Sequence, residues 1–242
     1  MSDIEFMESA TRQEPPETGK PTKLNIGAGD WQAKGWLTLD RAGKHDLIID
    51  LEERKKIPLK SGSLDRIYTS HCLEHLSEET VLHVLSECRR MLRAGGVFRV
   101  IVPDFDRALE AYRKKSTPFF FKNKEMGLSG NSFQRRLLSF LIRFRDTEGV
   151  ARGPNISNAL IDQKLSEMPA ERFIEWARTL VPDEYQELDH QNGFTFKRLE
   201  YLLNQAGFET VERLEPFKST TPEMARSIFT TRRVVSLIVE AK

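Results

Sequence analysis

Cysteine is scarce in this chain: Cys72 and Cys88 are the whole supply. Two thiols cannot build a disulfide framework, so the fold must close by burial, and a reducing, cytoplasmic setting is the default expectation. Long apolar runs are missing too; none approaches the ~18 residues of a membrane-spanning helix. Neither sign of charge prevails, with 37 Lys and Arg against 36 Asp and Glu and a net charge of +1. That balance argues against a globally basic nucleic-acid binder and leaves room for a local basic patch. The first residues are acidic and polar, without the basic and apolar regions of a signal peptide. No internal repeat is visible. What is present fits a globular protein: 242 residues, 39% hydrophobic and 30% charged. This length suits one sizeable core and is too short for two full catalytic domains.

Residues 1–22 carry five acids and three prolines and are expected to form a flexible tail. From Lys23 the pattern is regular. The short apolar runs Leu24–Ile26, Leu37–Leu39, Leu47–Ile49, Leu64–Tyr68 and Val97–Val102 are strand-sized. Between the fourth and fifth, Val81, Val84, Leu85, Cys88 and Leu92 recur at helical spacing behind a capping Ser77, with Ala94-Gly95-Gly96 as the expected stop. Residues 113–188 lose the strand rhythm and read as a helical insertion. The sheet pattern resumes near Phe194. A helix capped by Thr195 and closed by Gly207 precedes the final strands Phe208–Leu214 and Val234–Val239. The expected fold is α/β: a Rossmann-like three-layer sandwich on a mostly parallel seven-stranded sheet, with the insertion after strand five. The expected divisions are a tail (1–22), a cofactor-binding core (23–112), a basic helical lid (113–188) and a C-terminal completion of the sheet (189–242).

The sharpest local signal is Leu24-Asn25-Ile26-Gly27-Ala28-Gly29-Asp30, a strand running into a glycine turn where backbone can approach a ligand. The next strand ends in Asp40, whose carboxylate can accept from two ribose hydroxyls, and the third ends in Asp50-Leu51. In an open α/β sheet such strand ends form the ligand edge. A dinucleotide fits poorly. Gln32 stands where the third glycine of that fingerprint belongs, and Asp40 follows Gly29 by only 11 residues instead of about 20. A ligand without phosphates suits the short crossover better. Asp40 and Asp50 each have an ordinary reading as caps of local structure, and Trp36 reads as core.

The stretches LNIGAGD, GWLTLDR, DLIIDLEERKKIPLKSGSLDRIYTSHCLEHL and MLRAGGVFRVIVPD, with HQNGFTFKRLEYLLNQAGFETV near the end, resemble class I S-adenosylmethionine-dependent methyltransferases of the type 11-like branch. They occur in family order over about half the chain. The resemblance implies a methyltransferase with S-adenosylmethionine as cofactor. It places the Gly27-Ala28-Gly29 turn against the methionine part, Asp40 on the ribose and Arg41 at the rim. Asp50 and Leu51 would meet the adenine, and Ser70 and His71 would stand beside the sulfonium. Asn25 stands where the family often has an acid, and Trp31 where it has a third glycine.

Methyl transfer to a hydroxyl or amine requires a proton to leave, and a base that takes it is expected at the strand ends. His71 or Asp104 is the expected base, and His190 an acceptor contact. No metal is assigned. His71-Cys72-Leu73-Glu74-His75 matches H-x-x-E-H, a zinc-hydrolase pattern, but that pattern needs one helix through all five residues, and the run Leu64–Ser70 reads as a strand with His71 at its tip. Between Arg113 and Arg145 nine basic residues (113, 114, 115, 122, 124, 135, 136, 143 and 145) face one acid, Glu125. Phenylalanines interleave them, and Phe133, Leu137, Phe140, Leu141 and Phe144 share one helical face. The plain reading is a lid helix with a solvated basic side. The functional readings are an anionic small or carrier-linked acceptor, or peripheral contact with an anionic membrane. No RNA-binding module is visible, so nucleic acid is not an expected partner. O-methylation, a saccharide among the candidate acceptors, is the expected activity. The alternatives are a non-catalytic S-adenosyl or nucleotide binder and, third, the zinc hydrolase.

Overall fold

The computed structural model describes residues 23–123, 130–145, 151–152, 154, 156–180 and 190–242. The expected tail, Lys124 and Glu125 lie outside the described residues. So do the side chains of Phe144 and Arg145. The elements in chain order begin with β1 (Lys23–Ile26), β2 (Trp36–Asp40), β3 (Leu47–Ile48), β4 (Leu64–Ser70), α1 (Glu78–Met91), β5 (Leu92–Pro103) and α2 (Phe105–Arg113). They continue with α3 (Phe133–Leu141), β6 (Phe144–Arg145), β7 (Ala151–Arg152), α4 (Asn158–Glu167), α5 (Ala170–Arg178), α6 (Phe196–Gln205), β8 (Val211–Leu214) and β9 (Ser236–Ala241).

Seven strands form one sheet in the order β3-β2-β1-β4-β5-β9-β8. The pairs from β3 through β5 are parallel, while β9 runs antiparallel to both β5 and β8. The first β-to-β step is so short because Gly27 N–H and Ala28 N–H both donate to the carbonyl of Leu39, folding the turn straight onto the end of β2. Side chains of the central strands alternate between two buried faces, which is why they read as continuous apolar runs. On one face Ile26, Ile67, Phe98, Val100 and Val239 pack against α1 and α6 through Val84, Leu85, Leu199 and Leu203. On the other, Trp36, Tyr68, Val97, Ile101 and Ile238 meet Met224 and Phe229. There the third layer consists of the short 3-10 turns Pro222–Ala225 and Ser227–Phe229.

That face also carries a buried ion pair. Arg99 on β5 stands directly across from Glu240 on β9, with 2.7 Å between Nη1 and Oε1 and almost no exposure of either side chain. Arg99 also donates to the carbonyls of Phe229 and Lys218, and Glu240 accepts from Ser219 and Thr220. The pair thus ties the 218–229 segment, whose regular structure is limited to two short 3-10 turns, onto the sheet.

Ser77 caps α1, accepting from the Thr80 N–H, as its sequence position predicts. The expected stop is corrected. Helix α1 ends at Met91, and the chain enters β5 directly at Leu92. Gly95 (φ +73°) and Gly96 instead make a bulge inside β5, where the register jumps from Leu64↔Leu92 to Arg66↔Val97. A Cβ on Gly96 would lie 2.8 Å from Leu92 Cδ2 and 2.9 Å from the Arg93 carbonyl oxygen. The last two strands form later than expected, at Val211 and Ser236.

The insertion has a core of its own: Phe105, Phe120, Leu137, Phe140, Ile161, Phe173 and Ile174 are all buried together. Helix α2, placed with the cofactor-binding core by the sequence division at 112, packs into this second core. Leu137, Phe140 and Leu141 are buried, as their helical face requires. Much of the basic side is bound internally. Arg135 donates to the Pro154 carbonyl; Arg136 donates to Gly130 and Phe120 carbonyls and lies over the Phe121 ring. No helix among the described residues is long and apolar enough to cross a membrane.

Removing one charge of a buried pair leaves the other uncompensated. Glu240→Gln is expected to lower unfolding free energy by about 3–5 kcal/mol, read from urea denaturation midpoints; a change below about 1 kcal/mol would contradict the anchoring role.

Candidate active site

Because β1 through β4 are parallel, their carboxyl ends lie at one edge, and the residues just after them face each other. Gly27 and Gly29 take φ of +67° and +52°, a left-handed conformation that favours glycine. Gly27 also lies against the start of the next loop: a Cβ there would sit 2.4 Å from Cys72 Sγ and 2.6 Å from Cys72 Cβ. The Asp40 carboxylate braces the turn, accepting from Gly29 N–H (2.8 Å) and Arg41 N–H (2.7 Å). Each of its oxygens keeps a further lone pair. Asp50 caps the 3-10 turn Leu51–Glu53 by accepting from Glu52 N–H at 3.0 Å. Glu52 in turn holds the cap of α1, taking Ser77 N–H and the hydroxyls of Ser77 and Thr80.

Two cavities open along this edge. The larger, about 420 Å³, is bounded by Gly29, Asp40, Arg41, Asp50 and Leu51 on one side and by Cys72, His75 and Gln191 on the other. The smaller, about 190 Å³, is bounded by Asn25, Ala28, Trp31, Tyr68, Ser70, Thr231 and Arg232. Gly27 and His71 line both and form the partition. All nine residues expected at the cofactor therefore border one cavity or the other.

His71 is the pivot. It has φ +51°, an uncommon conformation for a residue with a side chain. Its Nδ1 lies 3.0 Å from Glu74 Oε1 and its Nε2 2.9 Å from Ser236 Oγ. Glu74 is fully buried. Burial pushes its carboxyl pKa up, but the hydrogen bond and charge of His71, with the charges of His75 and His190, outweigh this and hold it at about 2. The neighbouring Cys72 thiol is pushed up to about 12, first by burial and then by Glu74 and Asp40, so it is no thiolate nucleophile at neutral pH.

The other two expected catalytic residues line neither cavity. Asp104 is fully buried, caps α2 by accepting from Arg107 N–H and pairs with Arg213 at 2.7 Å. Burial still drives its pKa upward against these contacts. His190 sits behind the edge. Its Nδ1 is 3.2 Å from the Phe140 carbonyl, and its ring meets His75 edge to face at 5.0 Å. The H-x-x-E-H reading fails on geometry: β4 runs to Ser70, His71 is left-handed, and only Leu73–His75 forms a 3-10 turn. His71 points at Glu74 and Ser236, so the two histidines do not flank one ion as they would on a helix.

Several lining residues escaped the sequence reading. Trp31 and Tyr68 line the smaller cavity and pack against the rings of Trp36 and Phe229, and the Trp31 indole donates to the Ile228 carbonyl. Trp31 was readable as an odd residue beside the glycine turn. Thr231, Arg232 and Gln191 carried no pattern; distant pairing brings them in, as when Thr231 Oγ1 meets Ser70 Oγ at 2.5 Å.

Residues 36–100 match the family model described as a methyltransferase domain. No curated protein sequence matches the chain. Similar solved structures include an S-adenosylmethionine-dependent methyltransferase from Mesorhizobium loti (19% identity, 94% of this chain and 93% of that one, TM-score 0.40). A second is an SAM-dependent methyltransferase from Archaeoglobus fulgidus (15% identity, 93% and 87%, TM-score 0.41). A third is PigF with SAH (12% identity, 92% and 56%, TM-score 0.42). The match over residues 36–100 is to a methyltransferase domain, and the seven-stranded sheet with its reversed strand and glycine turn agrees with an S-adenosylmethionine-dependent methyltransferase. S-adenosylmethionine is the cofactor that this domain match indicates.

The residues fit that cofactor. Gly27 lines both cavities without a side chain, and its missing Cβ makes room for Cys72 behind the turn. Asn25, almost wholly buried on the smaller cavity, has an Oδ1 with no hydrogen-bond partner among the described residues and suits a ligand N–H donor. Gly27→Ala adds a clash and a backbone strain. It is expected to weaken S-adenosylhomocysteine binding at least tenfold, a loss of about 1.4 kcal/mol or more, measured by calorimetry. Unchanged affinity would refute the close approach at Gly27.

Proposed function

We propose that this chain methylates an oxygen of a small or carrier-linked acceptor, a saccharide being the first to try. The observation that carries this reading is the pair of cavities meeting at Gly27 and His71. When bound, S-adenosylmethionine supplies a methyl group on a sulfonium that leaves as a neutral thioether. In this reading Asp40 holds the ribose through its remaining lone pairs, with Arg41 at the rim, and Asp50 and Leu51 meet the adenine. The methionine end passes Gly27, Ala28 and Gly29 into the smaller cavity. There Asn25 accepts from the ammonium and Arg232 faces the carboxylate. Ser70 and His71 stand beside the methyl group.

The acceptor then enters on the side of His75 and Gln191, beneath the insertion. This arrangement catalyses mainly by in-line positioning. His71 acts in it as an orienting group, because both its ring nitrogens are engaged inside the protein. Asp104 belongs to the helix cap and takes no part in the chemistry. His190 supports the acceptor side from behind. With Arg135 and Arg136 bound to carbonyls, the exposed Arg113, Lys115 and Lys122 remain for an anionic carrier group.

Calorimetry with S-adenosylmethionine, S-adenosylhomocysteine and NAD tests the cofactor site. The first two should bind at micromolar affinity or tighter and NAD not at all, and Asp40→Ala should lose about 1–3 kcal/mol. Labelled-methyl transfer to a panel of free and carrier-linked saccharides, with amine analogues, tests the acceptor. Transfer confined to amines would overturn the oxygen assignment, and tight binding without transfer to any compound would mark a ligand sensor.

A further inference from the structure

The buried Glu74 has one oxygen to spare. Its Oε1 is taken by His71, while Oε2 is buried with no hydrogen-bond partner among the described residues. A partnerless carboxylate oxygen in a fully buried side chain calls for a donor or a cation. Close by are two imidazoles, His75 from the same turn and His190 from the far side of the insertion. One ligand atom from each of Glu74, His75 and His190 falls within 4.8 Å of the others. His190 is already oriented for ligation: Nδ1 faces the Phe140 carbonyl, which fixes Nδ1–H and presents Nε2. Glu74 is oriented in the same manner by His71.

From this geometry we propose that Glu74, His75 and His190 bind a divalent first-row metal ion, zinc by the nature of the donor set. Ligands of one zinc lie roughly 3–3.5 Å apart, so binding draws the three side chains slightly inward. Arg143 must step aside, since its Nη2 approaches His190 Nε2 at 3.3 Å. His75 is exposed and lines the larger cavity, so an ion there is reachable from solvent and borders the acceptor side. Three protein ligands leave a coordination position open for an acceptor hydroxyl, and the ion makes that hydroxyl more acidic. The hydroxyl proton goes to solvent, and the oxygen's electron pair forms the C–O bond. The C–S bond breaks with its pair on sulfur, and neutral S-adenosylhomocysteine departs. This last role rests on the methyl-transfer reading; the metal site itself does not.

The sequence pattern drew attention to His71 and His75 as a metal pair. The structure replaces His71 with His190, a residue more than a hundred positions away. The test uses the full chain, stripped with chelator and then dialysed against micromolar zinc or manganese, with bound metal counted by mass spectrometry. About one equivalent of zinc is expected. His75→Gln and His190→Gln, each checked for folding by thermal unfolding, should weaken binding at least tenfold, the scale of losing an organised ligand. No stoichiometric metal on the wild type, or unchanged binding in both variants, would overturn the site. Calorimetry with S-adenosylhomocysteine on stripped and loaded wild type tests the cofactor reading separately. Metal bound without cofactor affinity supports the site and refutes its link to methyl transfer.

Discussion

The edge of this molecule depends on one buried contact, the His71–Glu74 pair. His71 leaves β4 in a left-handed conformation, and its ring bridges Glu74 Oε1 and the Ser236 hydroxyl at the start of β9. Glu74's own carbonyl accepts from Gln191 N–H and Asn192 N–H. Four pieces of chain are thereby joined: the end of β4, the turn after it, the return from the insertion and the last strand. The first three contribute to a cavity wall. An unpaired carboxylate could not stay ionised at zero exposure, and an unbraced histidine would have no reason to hold a strained backbone.

The larger frame serves the same edge. Parallel pairing from β3 to β5 puts the ligand-facing loops side by side. The carbonyl of Leu39 receives two N–H groups from the glycine turn, which sets how close β1 and β2 deliver their loops. On the opposite face Arg99 and Glu240 fasten the 218–229 segment, and Thr231 and Arg232 just after it line the smaller cavity. A charge pair in the sheet interior therefore has a consequence for the site, through the covering segment.

Much of the edge was legible before folding. Strand-sized runs followed by Gly27, Asp40, Asp50 and Ser70 mark where a parallel sheet exposes its loops, because such strands are buried on both faces and can only read as apolar. The cap at Ser77 and the cap at Thr195 were equally plain, since a side-chain oxygen before an amphipathic run has one common use. The glycine pair at 95 and 96 misled. Next to a helix it resembles a stop, and the bulge it makes against β4 depends on a register that no local pattern encodes. Asp104 misled for a related reason: a carboxylate after a strand suits catalysis and helix capping alike, and Arg213 from β8 decides between them.

Alternation, glycine and acid placement, and capping residues were enough to determine the α/β class, the sheet edge that carries the two cavities, and the helical insertion. These features express local preferences that hold in whatever neighbourhood the chain finds. The tertiary structure alone decided which histidine faces which partner, how the cavities divide at Gly27 and His71, and that His190 comes beside Glu74 and His75. Such contacts join residues far apart in the chain, and their geometry exists only once sheet register and insertion packing are fixed together.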